Sequence, residues 1–253
     1  MSAQVMDRTK IGEVSSPVVE LRRYRLRPGA REELIALFDE AFVAPQEEAG
    51  MQVIGQFRDL DDPDAFVWLR GFADMESRAR ALAEFYGGPV WAAHRDRANG
   101  TMVNSDNVLL LRPALPGGGF RLPDRPDGDV AGLRPGLVVA TTCSLAPRTD
   151  TDFAEFFEAH VRPALAEAGA RILAAFVTER SPNTFPRLPV REGETVFVWF
   201  SGFADEAAYA RHRADLARSQ AWTSEVLPEM ERRTWRPNEV SRLVPTARSR
   251  LRG

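Results

Sequence analysis

Phe66-Val67-Trp68-Leu69-Arg70-Gly71-Phe72-Ala73-Asp74 returns later in the chain as Phe197-Val198-Trp199-Phe200-Ser201-Gly202-Phe203-Ala204-Asp205, with seven of nine positions identical at an offset of 131. The same offset carries on to Trp91 and Trp222. Upstream the offset is 119: Leu26 and Pro28 fall opposite Leu145 and Pro147, and Glu48-Ala49-Gly50 opposite Glu167-Ala168-Gly169. Val53, Ile54 and Phe57 likewise face Ile172, Leu173 and Phe176. The difference of 12 residues is one insertion in the second copy, between Val177 and Val196. A repeat on this scale is one structural unit made twice.

Each copy reads as β-α-β-β-α-β. In the first, Val18 to Leu26 alternates as a strand and Pro28-Gly29 turns it. Arg31 to Ala49 reads as a helix, because Leu34, Phe38 and Phe42 fall on one stripe. Gly50 suits the residue just past its end. Met51 to Arg58 and Ala65 to Ala73 are the next strands, joined by the acidic turn around Asp61, Asp62 and Asp64. Asp74 is placed to cap a helix running to Tyr86. Gly87-Gly88-Pro89 breaks it before a short piece with Trp91 and His94, and Asn107 to Leu111 closes the unit. Leu137 to Val244 repeats the pattern.

This predicts an α+β fold: two tandem ferredoxin-like (βαββαβ) repeats, packed sheet to sheet into one dimeric-type α+β barrel with a cavity between the sheets. The expected divisions are a flexible tail over 1–17, a first repeat over 18–112, a Pro/Gly linker over 113–136, a second repeat over 137–245 and a frayed tail over 246–253.

Composition narrows the function. The 253 residues are 44% hydrophobic and 27% charged, with a net charge of −3, which argues against nucleic acid as a partner. No apolar run reaches bilayer-spanning length, and Met1 to Pro17 lacks the apolar stretch of a secretory signal. One cysteine, Cys143, forms no disulfide within the chain, so a cytoplasmic setting is expected, with the thiol buried and inert. There is no His-Glu-x-x-His, no paired Cys, no phosphate loop and no Gly-x-Ser-x-Gly elbow, so no metal or dinucleotide is expected.

Glu20-Leu21-Arg22-Arg23-Tyr24, followed by Arg27-Pro28-Gly29, resembles the opening of NIPSNAP-family domains. Phe66-Val67-Trp68 running into a helix that ends near Trp91, and the loop Asn183-Thr184-Phe185-Pro186-Arg187-Leu188-Pro189-Val190, resemble that family as well. The resemblance spans roughly 18–112 and 137–244 and implies the dimeric α+β barrel superfamily. That superfamily includes cofactor-free monooxygenases, polyketide cyclases, lactone isomerases and haem enzymes. The second copy departs from the signature, reading Val138-Val139-Ala140-Thr141-Thr142-Cys143, so a second equivalent site is not expected.

Strand alternation puts Glu20, Arg22 and Tyr24 on one face, and Phe66, Trp68 and Arg70 on one face of the third strand. With the apolar set under the helices, Trp68 and Arg70 would point into the barrel. The catalytic candidates are then Glu20 as a base raised by burial, Tyr24 as proton donor or acceptor, and Arg22 or Arg70 as stabilisers of an enolate or carboxylate. The alternative is a structural Glu20–Arg22 ion pair with a hydrogen-bonded Tyr24. Trp68, Gln56, Trp199 and Ser201 would contact substrate, as would Phe185 and Arg187 from the Thr178–Glu194 insertion. That insertion, stiffened by three prolines, is either a lid or an arm to another subunit of a homo-oligomer, and Arg187 meets an anionic substrate or pairs with Glu192. The expected protein is a cytoplasmic, cofactor-independent enzyme of monooxygenase, cyclase or isomerase type. Its substrate would be a small aromatic or polyketide-like molecule in the barrel. The resemblance leaves two alternatives open, haem held by His212 or His160, and a non-enzymatic scaffold.

Overall fold

The structure, a computed structural model, describes residues 13–14, 16–125 and 136–253. The first copy holds β2 (Val18–Leu26), α1 (Arg31–Leu37), a π-helical turn (Phe38–Phe42), α2 (Val43–Glu48), β3 (Gln52–Asp59), β4 (Ala65–Phe72), α3 (Met75–Gly87), α4 (Pro89–Thr101) and β5 (Met102–Pro113), after the short β1 (Glu13–Val14). Beyond β6 (Arg121–Leu122), the second copy holds β7 (Leu137–Leu145), α5 (Asp150–Phe156), a π turn (Phe157–Val161), α6 (Arg162–Glu167), β8 (Arg171–Thr178), β9 (Thr195–Phe203), α7 (Glu206–Arg218), a third π turn (Trp222–Val226), α8 (Leu227–Arg233) and β10 (Glu239–Pro245).

Local detail repeats with the copies. Asp74 caps α3 by accepting from the Ser77 amide at 2.6 Å, and Asp205 caps α7 from the Ala208 amide at 2.7 Å. Gly50 and Gly169 both take φ of 90° after the first helices, where a side chain would be strained. The π turns in those helices also fall at equivalent positions, so they belong to the common frame. The piece after Gly88 is longer than its sequence suggests: α4 is a full helix of 13 residues, and β5 begins five residues before Asn107.

Eight strands close a barrel in the order β10-β3-β4-β2-β5-β8-β9-β7, all neighbours antiparallel. Each repeat supplies four strands, and the repeats join through β5 with β8 and β3 with β10. The core has three layers: the barrel interior, and one helix–sheet layer on the outside of each repeat. Among the described residues no helix is long and apolar enough to cross a membrane.

The expected direction of the strand faces is reversed. Val19, Leu21, Val67 and Leu69 point into the barrel, while Tyr24, Phe66 and Trp68 pack under the helices. Closing eight strands leaves an interior only wide enough for modest side chains, so long polar groups go to the deeper helix–sheet layer. Nor is the barrel hollow where the cavity was expected. Phe120 and Leu122, from the segment read as a linker, are buried inside it, with the Phe120 ring 5.0 Å from both Phe176 and Phe200. The tail read as frayed is bound too: Thr246, Ser249 and Leu251 are buried, and the Leu251 amide donates to the Ile54 carbonyl at 3.0 Å. Within 1–17, β1 pairs with β6. Residues 1–12, 15 and 126–135 lie outside the described residues, so those parts of the expected tail and linker are not compared.

Candidate functional site

In the first repeat β2 and β4 run side by side with Glu20 opposite Arg70, Arg22 opposite Trp68 and Tyr24 opposite Phe66. Period-two alternation puts all six on the helix side. Glu20 sits at the centre. Its Oε2 accepts from Arg22 Nη1 at 2.7 Å and Arg70 Nε at 2.8 Å, and its Oε1 accepts from Arg78 Nε at 2.7 Å. All four side chains are buried. Burial works to raise the Glu20 carboxyl, but Arg70, Arg22 and Arg78 overcome it and hold the group well below the usual carboxylate range. Glu20 is therefore a fixed counter-ion with both oxygens engaged, and the expectation of a raised general base is overturned.

Tyr24 touches this cluster from the side. Arg22 Nε donates to its hydroxyl at 2.9 Å. Burial holds the Tyr24 phenol above its ordinary value against the pull of Arg22, so the proton stays on. Tyr86 on α3 stands alongside, with Arg70 Nη1 at 3.5 Å from its oxygen. Arg70 also donates to Gln46 Oε1 at 3.2 Å.

Arg78 is the member the sequence reading missed. It lies in register with Ala81, Leu82 and Phe85 on the buried face of α3. A charged residue on an apolar helical stripe was the available signal. Besides Glu20, Arg78 reaches the insertion of the second repeat, donating to Asn183 Oδ1 at 3.0 Å and Thr184 Oγ1 at 3.2 Å. Thr184 donates in turn to the Met75 carbonyl at 3.0 Å, and Phe185 stacks on Tyr86 at 6.1 Å. The insertion thus docks on the first repeat of its own chain.

Beneath it is a cavity of about 510 Å³, lined by Tyr24, Tyr86, Trp91 and Met102 from the first repeat and by Phe185, Arg187 and Leu188 from the insertion, with Arg95, Asp96, Asn99 and Ser105 completing the wall. Its size and aromatic walls suit a small ligand. Of the residues singled out in sequence, Tyr24, Phe185 and Arg187 line it. Glu20, Arg22, Trp68, Arg70 and Gln56 lie in the buried layer behind, Gln56 being the ladder partner of Trp68. Arg187 makes no pair with Glu192 among the described residues; its guanidinium lies 5.9 Å from the Phe185 ring.

The remaining candidates are elsewhere. Trp199 packs in the helix–sheet layer of the second repeat, with Ser201 buried on the same strand, so neither joins the first-repeat group. His212 is buried, with Nδ1 3.0 Å from the Ala168 carbonyl and the Phe203 ring at 5.0 Å; burial lowers its pKa. His160 lies exposed beside Phe156. Neither histidine lines the Tyr24 cavity.

The two helix–sheet layers differ in one decisive respect. Val139, Thr141, Ser201 and Tyr209 stand where the first repeat has Glu20, Arg22, Arg70 and Arg78. The second copy completes the same architecture without a buried ion cluster. Buried charges are expensive to desolvate, and the first copy carries a cluster that the second copy does without.

Residues 19–115, essentially the first copy, match the family model described as NIPSNAP. No protein of curated function matches the chain in sequence. Among crystal structures, a provisionally named monooxygenase from Lactobacillus acidophilus is 14% identical with a TM-score of 0.56, over 91% of this chain and 94% of that one. A second provisionally named monooxygenase, from Fusobacterium nucleatum, is 13% identical with a TM-score of 0.55, over 91% and 93%. An anthrone oxidase-like protein is 12% identical with a TM-score of 0.54, over 93% and 95%. What these share with the present chain is the fold of the whole α+β barrel.

Proposed function

We propose that the first repeat, which matches the NIPSNAP family model, binds a small aromatic or polyketide-like molecule between its sheet and helices, beneath the insertion of the second repeat. On this reading the protein is a cytoplasmic, cofactor-independent enzyme of monooxygenase, cyclase or isomerase type. The observation that carries it is the buried Glu20–Arg22–Arg70–Arg78 cluster, present in one of two otherwise equivalent layers and set directly behind a cavity.

The three reaction types share one demand: charge develops on a carbonyl oxygen as the substrate enolises. Donors fixed in place before the reaction stabilise that charge at little reorganisation cost. Tyr24, which touches the cluster through Arg22, lines the cavity. Its oxygen accepts from Arg22, which leaves the phenol proton to be donated to a substrate oxygen. Arg22, itself fixed by Glu20, strengthens that donation. Glu20 positions the arginines and exchanges no proton.

Oxygen uptake and absorption changes with anthrone, a planar ketone with an enolisable position, test the reading. Turnover that falls at least roughly tenfold in Tyr24→Phe supports it, one lost donor to a developing oxyanion being worth that much or more. Absence of both turnover and binding across a panel of such ketones overturns it. An absorption spectrum before and after haemin tests the cofactor-free part: a Soret band lost on changing His212 or His160 replaces that part with a haem protein.

A further inference from the structure

The layer behind the cavity holds more positive charge than it neutralises. Three guanidiniums, Arg22, Arg70 and Arg78, share the single carboxylate of Glu20, all of them buried. The two tyrosines on the cavity wall are both backed by this excess: Arg22 Nε is 2.9 Å from the Tyr24 oxygen and Arg70 Nη1 is 3.5 Å from the Tyr86 oxygen. With each oxygen facing a guanidinium, what either phenol can offer to the cavity is its proton.

We infer that the ligand of this cavity carries an anionic oxygen, a carboxylate or an enolate, on an aromatic frame, and that this oxygen sits on the hydroxyls of Tyr24 and Tyr86. The inference rests on the cavity being a binding site and adds the charge of what binds there. Two further observations point the same way. Buried donors beside the tyrosines, Trp68 Nε1 and Arg70 Nη2, have no acceptor among the described residues, and on the far side of Trp68 the Gln56 amide is unpaired at both its oxygen and its nitrogen, so unpaired donors outnumber unpaired acceptors in this layer. At the mouth, Arg187 has no carboxylate partner among the described residues, while the other rim cation, Arg95, is 3.4 Å from Asp96. The walls between, Trp91, Phe185 and Leu188, suit a flat apolar body. A neutral ligand of the same shape would leave the excess charge unanswered.

Calorimetric titration of the full chain with 2-naphthoate and with 2-naphthamide, matched in shape and different in charge, tests this. The carboxylate is expected to bind at least about tenfold more tightly, since hydrogen bonds to an ionised acceptor are roughly twice as strong as neutral ones. Tyr24→Phe, which keeps the ring and its packing, is expected to remove most of that preference, weakening naphthoate by more than naphthamide, whose neutral hydrogen bond to the phenol is worth about 1 kcal/mol or roughly fivefold. Equal or tighter binding of naphthamide overturns the anionic assignment and leaves the binding site standing. A preference that survives undiminished in both Tyr24→Phe and Tyr86→Phe overturns the role of the hydroxyls. Failure of both compounds to bind overturns the binding site and the assignment together.

Discussion

Arg78 and Asn183 lie 105 residues apart in the chain and meet through a hydrogen bond of 3.0 Å, the guanidinium donating to the amide oxygen. Arg78 belongs to a helix of the first repeat and Asn183 to the insertion that only the second repeat carries. The same guanidinium holds Glu20, so the roof of the cavity and the charge behind it are fixed by one side chain. Duplication supplied the frame twice, and the extra residues of one copy complete a cavity on the other.

The roof should loosen without the core being disturbed. Asn183→Ala combined with Thr184→Val removes both acceptors of Arg78 in the insertion. Each such bond is worth about 1 kcal/mol, about 2 kcal/mol for the pair, so trypsin should cut after Arg187 roughly thirtyfold faster. The melting temperature should hold within about 3 °C. An unchanged cleavage rate means that the insertion is held by something else.

The buried cluster should be dispensable as a whole and indispensable in part. Glu20→Val alone leaves three buried guanidiniums without their carboxylate and is expected to cost about 3–5 kcal/mol in urea unfolding. Replacing all four residues by their counterparts in the second repeat, Glu20→Val, Arg22→Thr, Arg70→Ser and Arg78→Tyr, should recover most of that loss. If the quadruple variant is less stable than Glu20→Val, the cluster is a structural requirement of this copy.

Acid should expose the Glu20 contribution. Its carboxyl lies well below its ordinary value near 4.5 in the folded protein, so the stabilisation is complete above that pH. It is lost progressively as the pH falls below 4.5, where the unfolded chain takes up a proton that the native state refuses. Urea unfolding followed from pH 7 to pH 3 should therefore show a steeper decline for the native sequence than for Glu20→Gln. Parallel profiles would show that the carboxylate is not depressed in the folded state.

The segments that plug the barrel should behave as core. Phe120→Ala empties a fully buried site between Phe176 and Phe200 and is expected to cost about 3–5 kcal/mol. Deleting residues 247–253, which include the buried Ser249 and Leu251, should also lower the urea midpoint. A truncated chain with the native midpoint would return this tail to the status of an appendage.

Cys143 should be silent until the protein unfolds. It is buried beneath the helices of the second repeat, and burial pushes its thiol up to about 12. Reaction with a thiol reagent at neutral pH should be negligible in native buffer and complete in denaturant, because the thiolate is the reactive form. Prompt labelling of the native protein would place the residue in an accessible environment instead.

The repeat of Phe66–Asp74 at Phe197–Asp205 determined the architecture, because two βαββαβ units have four-stranded sheets whose edges can close on one another. Alternation also determined that Glu20, Arg22 and Tyr24 share a face, and that Trp68 and Arg70 share one. It could not determine which way those faces look. A period of two is the same seen from either side, and here both sides are buried, so no solvent-exposed face breaks the tie. The tertiary structure broke it through space: the closed eight-stranded barrel is filled by aliphatic side chains and four phenylalanine rings, with no room left for the long arginines, which went under the helices. Contacts across long separations were equally out of reach. Glu20 acquires the third arginine that fixes its charge only when α3 folds over β2, and Tyr24 becomes a cavity wall only when the insertion of the second repeat lies across the first.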